Sequence, residues 1–347
     1  MAAVRRFRRL RRRQLPRPRV FYERDDPLNR LEDDELFERF RFRRGSILFI
    51  EEQVRESIKS PTRRSCAILP MVQVLICLRF LATGAFQLLV ADTLRVSRPT
   101  TFRCIRRVCS AIIRNLIHLI KFPVGEDAKR VMEGFRKIAG FPKVLGCVDG
   151  TQIKIATPNK NENDFVNRKG VHALNVQMIC DPKFRITSLC ANWPGSVHDS
   201  RIWRQCELNN QFQNGIHNGL LLGDSGYPCL TYLMTPFLNP TNRHEENFNT
   251  SLCRTRVLIE QTFGILKRRF ALLHYGIRSS PQQAVIYITA CVILHNLGIG
   301  RGDVLVTDVD FLDLDYDGSD EAVASYNRII TLDGVKKRNE IATKFFS

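Results

Sequence analysis

The chain has 347 residues with 53 Lys and Arg against 35 Asp and Glu, a formal charge of +18 and a pI near 9.8. That length buries a full hydrophobic core and fits two domains plus tails, and the charge implies a polyanionic partner, nucleic acid before a membrane surface. The eleven cysteines hold no CxxC pair and lie mostly in apolar runs, which argues against a zinc cage or a disulfide framework.

The first segment, residues 1–24, is dominated by arginine from Arg5 to Arg19, with Pro16 and Pro18 breaking any helix. It reads as a disordered arm that acts as a nuclear-import signal or contacts DNA; no apolar stretch follows the arginines, so no secretory signal is read. Residues 25–135 read as a helical domain. Pro61 and Thr62 mark a joint, and the apolar stretch Ile68 to Ala91 is broken by Gln73, Arg79, Thr83 and Gln87, which suits packed helices and not a membrane span. Val72, Leu75, Ile76 and Phe80 fall on one helical face, and Phe86, Leu89, Val90 and Leu94 on a second. After the break at Val96 to Thr100, a third helix sets Phe102, Ile105, Cys109, Ile112 and Leu116 opposite Arg103, Arg106, Arg107 and Arg114. The spacing predicts a helix-turn-helix over about 70–116, with Arg103, Arg106 and Arg107 facing DNA. An ordinary three-helix bundle with a basic face is the structural alternative.

Residues 136–300 change to an α/β pattern. Strands are predicted at Lys143 to Val148, Leu174 to Cys180, Ile186 to Ala191 and Leu220 to Gly223, with helices at Ser200 to Leu208, Val257 to Phe270 and Val285 to Leu297. This order fits an RNase H-like sheet. Residues 301–347, rich in aspartate from Asp303 to Glu321, read as an acidic tail.

Four carboxylates stand at segment boundaries: Asp149, Asp199, Asp224 and Glu260. Each has an ordinary explanation. Asp149-Gly150 is a hairpin signal, Asp224 suits a turn, Asp199 caps a helix, and Glu260 pairs with Arg256 one turn back. In an RNase H-like sheet, however, the first and fourth strand ends lie side by side, so Asp149, Asp224 and Glu260 converge with Asp199 facing the same cavity. Such oxygen ligands suit Mg²⁺ or Mn²⁺ and two-metal phosphodiester chemistry. Arg168 and Lys169, before Gly170, and Lys267, two turns beyond Glu260, would meet a phosphate backbone.

At these residues the chain resembles the PIF/Harbinger transposases and the Harbinger transposase-derived nucleases. The matching segments are Gly146 to Thr151, Val166 to Gly170, Trp193 to Ser200, Leu222 to Tyr227, Ile259 to Phe270 and Leu294 to Asn296. The resemblance implies an α/β, RNase H-like catalytic domain preceded by an all-α helix-turn-helix domain. It also implies that Asp149, Asp199, Asp224 and Glu260 bind divalent metal in a DNA endonuclease. A nuclear and cytoplasmic location and a Myb-like DNA-binding partner protein follow from it too. The adaptor reading, DNA binding without cleavage, stays open, as does homo-oligomerisation.

Overall fold

A computed structural model describes residues 27–60, 67–303 and 331–347; the arginine-rich arm and residues 304–330 of the acidic stretch lie outside them. Seven helices precede the sheet among the described residues: α1 Pro27–Arg30, α2 Asp33–Phe40, α3 Arg44–Ile58, α4 Pro70–Thr83, α5 Gln87–Thr93, α6 Arg98–Leu116 and α7 Gly125–Ala139. Because α4 is apolar all round, it is buried on nearly every side, from Val72 to Ala82. It starts with Pro70 in its first turn and stops at Gly84, whose φ of 62° suits glycine. There the chain passes so close to the Leu272 backbone that a Cβ would sit 3.0 Å from its Cα.

Ser97 occupies the N-cap of α6 and Pro99 lies in its first turn. Ile105, Cys109, Ile112 and Leu116 are buried, and Arg103, Arg106, Arg107 and Arg114 are exposed. The apolar face expected of α5 is only partly used. Val90 is buried, whereas Phe86 and Leu89 are 61% and 57% exposed. A seven-residue helix cannot turn both apolar stripes inward, so Phe86, Leu89 and the outward Phe102 line an open cleft of about 1020 Å³.

The sheet has five strands, β1 Val144–Lys154, β2 Ala173–Cys180, β3 Ile186–Pro194, β4 Leu220–Leu222 and β5 Leu233–Met234, in the order β3-β2-β1-β4-β5. Strands β1, β2 and β3 pair antiparallel, and β1, β4 and β5 pair parallel. Two expectations are corrected here. β1 does not end before Asp149: it runs to Lys154, with Asp149 opposite Met178, because Thr151 and Ile153 continue the strand alternation. The two-residue β5 went unpredicted, being too short to show a period.

Between β3 and β4 the predicted helix is two, α8 Asp199–Arg204 and α9 Glu207–Gln213. After β5 come α10 Arg243–Arg269, α11 Ala271–Tyr275 and α12 Pro281–Gly300. Helix α12 is long and apolar enough to cross a membrane by length and composition alone, yet protein surrounds it.

Side-chain alternation along the sheet separates two cores. One face, with Leu145, Val148, Ile179 and Leu221, packs on Trp203, Leu208, Phe212 and Tyr227. The other, with Cys147, Ile153, Val176 and Leu222, joins a core continuous with the helices back to Leu28. The expected boundary at residue 135 therefore marks a change of secondary structure, not of core. The tail 301–347 is also revised. Its last part forms α13 Leu332–Phe345, whose Ile341 and Ala342 are buried, and Phe346 packs against Phe141 and Phe248. Aspartates in the middle of the segment masked this short amphipathic end.

Candidate active site

The site is built at the point where β4 stops. Leu222, the last residue of β4, pairs with Cys147 in parallel register, so β1 continues from Val148 with an open edge. Asp149 and Asp224 lie two residues beyond that pair on neighbouring strand paths. Adjacent strands run about 4.8 Å apart, which brings the two carboxylates within mutual reach. Asp224 is held by a local turn: Gly226 N donates to its Oδ1 at 3.0 Å. Asp199 enters from the other side as the first residue of α8, after His198 at the N-cap. Asn175 Nδ2 donates to Asp199 Oδ1 at 2.7 Å and to the Val197 carbonyl at 2.8 Å. Gly150 makes this approach sterically feasible, since a Cβ there would overlap the Asp199 carboxylate.

Burial and crowding act on these acids together. Asp149 is pushed up to about 7, first by burial and further by the charges of Asp224 and Asp199, while Arg256 opposes the shift. Asp199 is also raised, chiefly by burial and then by Asp224, against the hydrogen bond from Asn175. The buried Tyr227 hydroxyl donates to Gln177 Oε1 at 3.3 Å and feels all three aspartates. The charge of Asp224 raises the proton affinity of both Asp149 and Asp199, and acids crowded in this way favour a cation between them.

Glu260 stands differently. Arg256 on α10 meets Glu260 at 3.1 Å and Asp149 at 3.6 Å. The arginine side chain is 7% exposed and that of Glu260 42%, so Glu260 reaches the aspartates through a buried guanidinium. The pairing with Arg256 anticipated for Glu260 is thus present, and the arginine also engages Asp149.

The cationic candidates divide. Arg168 Nη2 donates to His198 Nδ1 at 2.7 Å, close enough for its charge to act on Asp199. The turn that carries it is closed by Asn167 Oδ1, which accepts from Lys169 N and Val171 N, and by Gly170 at a φ of 70°. Lys169 is exposed beside it. Lys267 is half-buried and donates to Thr151 Oγ1 at 2.7 Å, two residues along β1 from Asp149; burial lowers its pKa. Arg103, Arg106 and Arg107 are elsewhere, on α6, which packs against α3, α4, α5 and α12. Arg269, at the end of the same helix as Lys267, is fully buried and donates to the Arg41 and Asp303 carbonyls.

The sequence reading missed Asn175, Gln177, Thr151 and Tyr227. The signal for two of them was present: polar side chains at Asn175 and Gln177 alternate within an otherwise apolar strand, where burial demands a partner. The donor set of Asp149, Asp199 and Asp224 fits a hard, oxygen-liganded cation. Among the described residues no three such groups stand preassembled as a metal cage.

Comparison with known proteins places the chain in a family. Residues 148–296, which span all four carboxylates, match the family described as DDE superfamily endonuclease. The human protein named "Putative nuclease HARBI1" is 35% identical over 280 residues, 79% of this chain and 80% of its own. Its rat counterpart is 32% identical over 327 residues, 92% and 93% of the two chains. The Arabidopsis thaliana protein "Antagonist of like heterochromatin protein 1" is 25% identical over 257 residues, 68% and 64% of the two. No solved structure matches. The chain belongs to the Harbinger transposase-derived nucleases.

Proposed function

We propose that the protein is a divalent-metal-dependent DNA endonuclease of the PIF/Harbinger type, with an RNase H-like catalytic domain behind a helix-turn-helix. The observation that carries this reading is the meeting of Asp149, Asp199 and Asp224 at the open edge of β1. The strand order β3-β2-β1-β4-β5 supports the RNase H-like assignment, and α4 to α6 support the helix-turn-helix.

Asp149, Asp199 and Asp224 would hold Mg²⁺ or Mn²⁺, with Glu260 the fourth carboxylate. Two such ions supply an activated water and stabilisation of the leaving 3′ oxygen. The protein's own groups then divide the remaining work. Asn175 fixes the Asp199 carboxylate, Arg256 balances Asp149 and Glu260, and Arg168, Lys169 and Lys267 face the phosphate backbone at the rim. Arg103, Arg106 and Arg107 contact DNA from a separate surface. A Myb-like partner and a nuclear and cytoplasmic location complete the reading.

The second reading is a DNA-binding adaptor that no longer cuts. It draws support from Arg256, which occupies Asp149 and Glu260 with a fixed positive charge. Cleavage of duplex DNA in Mn²⁺, with and without a Myb-like protein, separates the two. The nuclease reading expects nicking by the wild type and its suppression in Glu260→Gln and in Asp149→Asn/Asp224→Asn. It expects Mn²⁺ to raise the melting temperature of the wild type and not of the double variant. Binding without nicking under every condition would favour the adaptor.

A further inference from the structure

On the sheet face that α8 and α9 cover, Cys190 and Cys206 bring their sulfurs to 3.3 Å. Cys190 sits on β3, the outer strand of the sheet, and is partly exposed. Cys206 lies between α8 and α9 and is 6% exposed. A disulfide needs its sulfurs about 2.05 Å apart, so an approach of roughly 1 Å would join the pair.

The two thiols are chemically unequal. Either sulfur can hold the proton between them, and the backbone decides which: the N–H groups of Leu208 and Asn209 donate to Cys206 and so favour its thiolate. The hydrogen bond from Cys190 brings Cys206 down to about 7 against burial; those two N–H groups add to the effect, and the charge of Glu207 opposes it. Cys190 is raised in return, because it keeps the proton of that bond, and by burial. The thiolate is the nucleophilic form of cysteine, and at neutral pH an ordinary thiol holds only a few per cent of it. Two further thiol pairs provide the contrast. Cys77 and Cys109 are 3.4 Å apart, and Cys147 faces Cys180 across β1 and β2. All four are fully buried, and burial raises Cys77 and Cys147 well above the ordinary thiol range. A close partner alone therefore makes no reactive cysteine; Cys190 and Cys206 add backbone donors and a route to solvent.

We propose that Cys190 and Cys206 form a reversible disulfide on reaction with a peroxide. The Cys206 thiolate attacks one peroxide oxygen; an S–O bond forms, the O–O bond breaks, and the second oxygen leaves as hydroxide and takes up a proton. The Cys190 sulfur then attacks the sulfenic sulfur of Cys206. The S–S bond forms, the S–O bond breaks, and the oxygen leaves with the Cys190 proton as water. The two thiols give up two electrons, and hydrogen peroxide becomes two waters. The new bond ties the end of α8 to β3, and α8 is the helix that begins with Asp199. The inference needs neither metal nor DNA and holds whether or not the protein cuts.

Hydrogen peroxide added to the full chain without divalent metal, followed by alkylation of the remaining thiols under denaturing conditions and peptide mapping, tests it. A peptide linked through Cys190 and Cys206 is expected, lighter by two hydrogens than the reduced pair and abolished by dithiothreitol. Cys77, Cys109, Cys147 and Cys180 should still be alkylated. Cys190→Ser should halt the reaction at the sulfenic acid, which dimedone traps at Cys206. Cys206→Ser should leave Cys190 reduced at the peroxide concentration that oxidises the wild type. The mapping of the wild type needs no substitution, so it decides the matter even where a variant folds poorly. Cys190 and Cys206 that both remain open to alkylation after peroxide overturn the proposal. So does a link between Cys77 and Cys109 that forms as fast, or dimedone on Cys190 with Cys206 left reduced.

Discussion

At Gly150 one hydrogen in place of a methyl group decides whether two carboxylates share a site. A Cβ there would collide with Asp199, which Asn175 holds in place from β2. Gly150→Ala is expected to destabilise the fold by about 1 to 3 kcal/mol through overpacking and to reduce the thermal gain from Mn²⁺. Denaturant unfolding and metal-dependent melting check both; wild-type values in both would mean that Asp199 has room to move. The aspartates were legible in the sequence because acids at the ends of apolar runs are rare and costly. Arg256 was legible only as the helical neighbour of Glu260. Its contact with Asp149 joins residues far apart in the chain, and no local pattern signals it.

Among the elements, α12 shows how a family motif serves structure. His295 Nε2 donates to the Phe184 carbonyl at 2.8 Å in the β2–β3 turn, where Phe184 takes a φ of 61°. Asn296 brackets Ile186, accepting from its N–H at 2.8 Å and donating to its carbonyl at 2.7 Å. Burial first, then Arg269, push His295 down to about 3. The unfolded chain therefore binds a proton that the folded chain refuses between pH 6.5 and about 3. This contribution to stability is complete above pH 6.5 and is lost as pH falls, by up to roughly 1.4 kcal/mol per pH unit. His295→Gln, which keeps a donor for Phe184, should flatten the fall in denaturation midpoint between pH 7 and pH 5. An unchanged pH slope would show that the imidazole accepts its proton in place.

For the molecule as a whole, one core links the helices to the sheet, while the basic face of α6 and the carboxylates occupy different parts of the surface. Binding and cutting should therefore separate by mutation. Replacing Arg103, Arg106 and Arg107 with alanine is expected to weaken DNA binding and reduce its salt slope by about 0.9 per lost phosphate contact. Glu260→Gln should leave that slope near wild type. A triple variant that binds with the wild-type slope would remove α6 from the interface. Deleting residues 1–19, outside the described residues, should move a fluorescently tagged protein toward the cytoplasm without altering its circular dichroism. Unchanged nuclear accumulation would place the import signal elsewhere.

Periodicity and turn chemistry act over a few residues, which is why four of the five strands, the helix start before Pro99 and the acids after apolar segments could be read directly from the chain. The same short range limited that reading. The extension of β1 past Asp149 depends on pairing with β2, and the docking of α13 depends on Phe141 and Phe248 from distant segments. The shared core and the Arg256 bridge between Asp149 and Glu260 likewise arose only in three dimensions. Burial and charge interact through space, and Cys147 meets the Thr255 carbonyl at 3.3 Å across 108 positions of sequence that carry no local mark of the encounter.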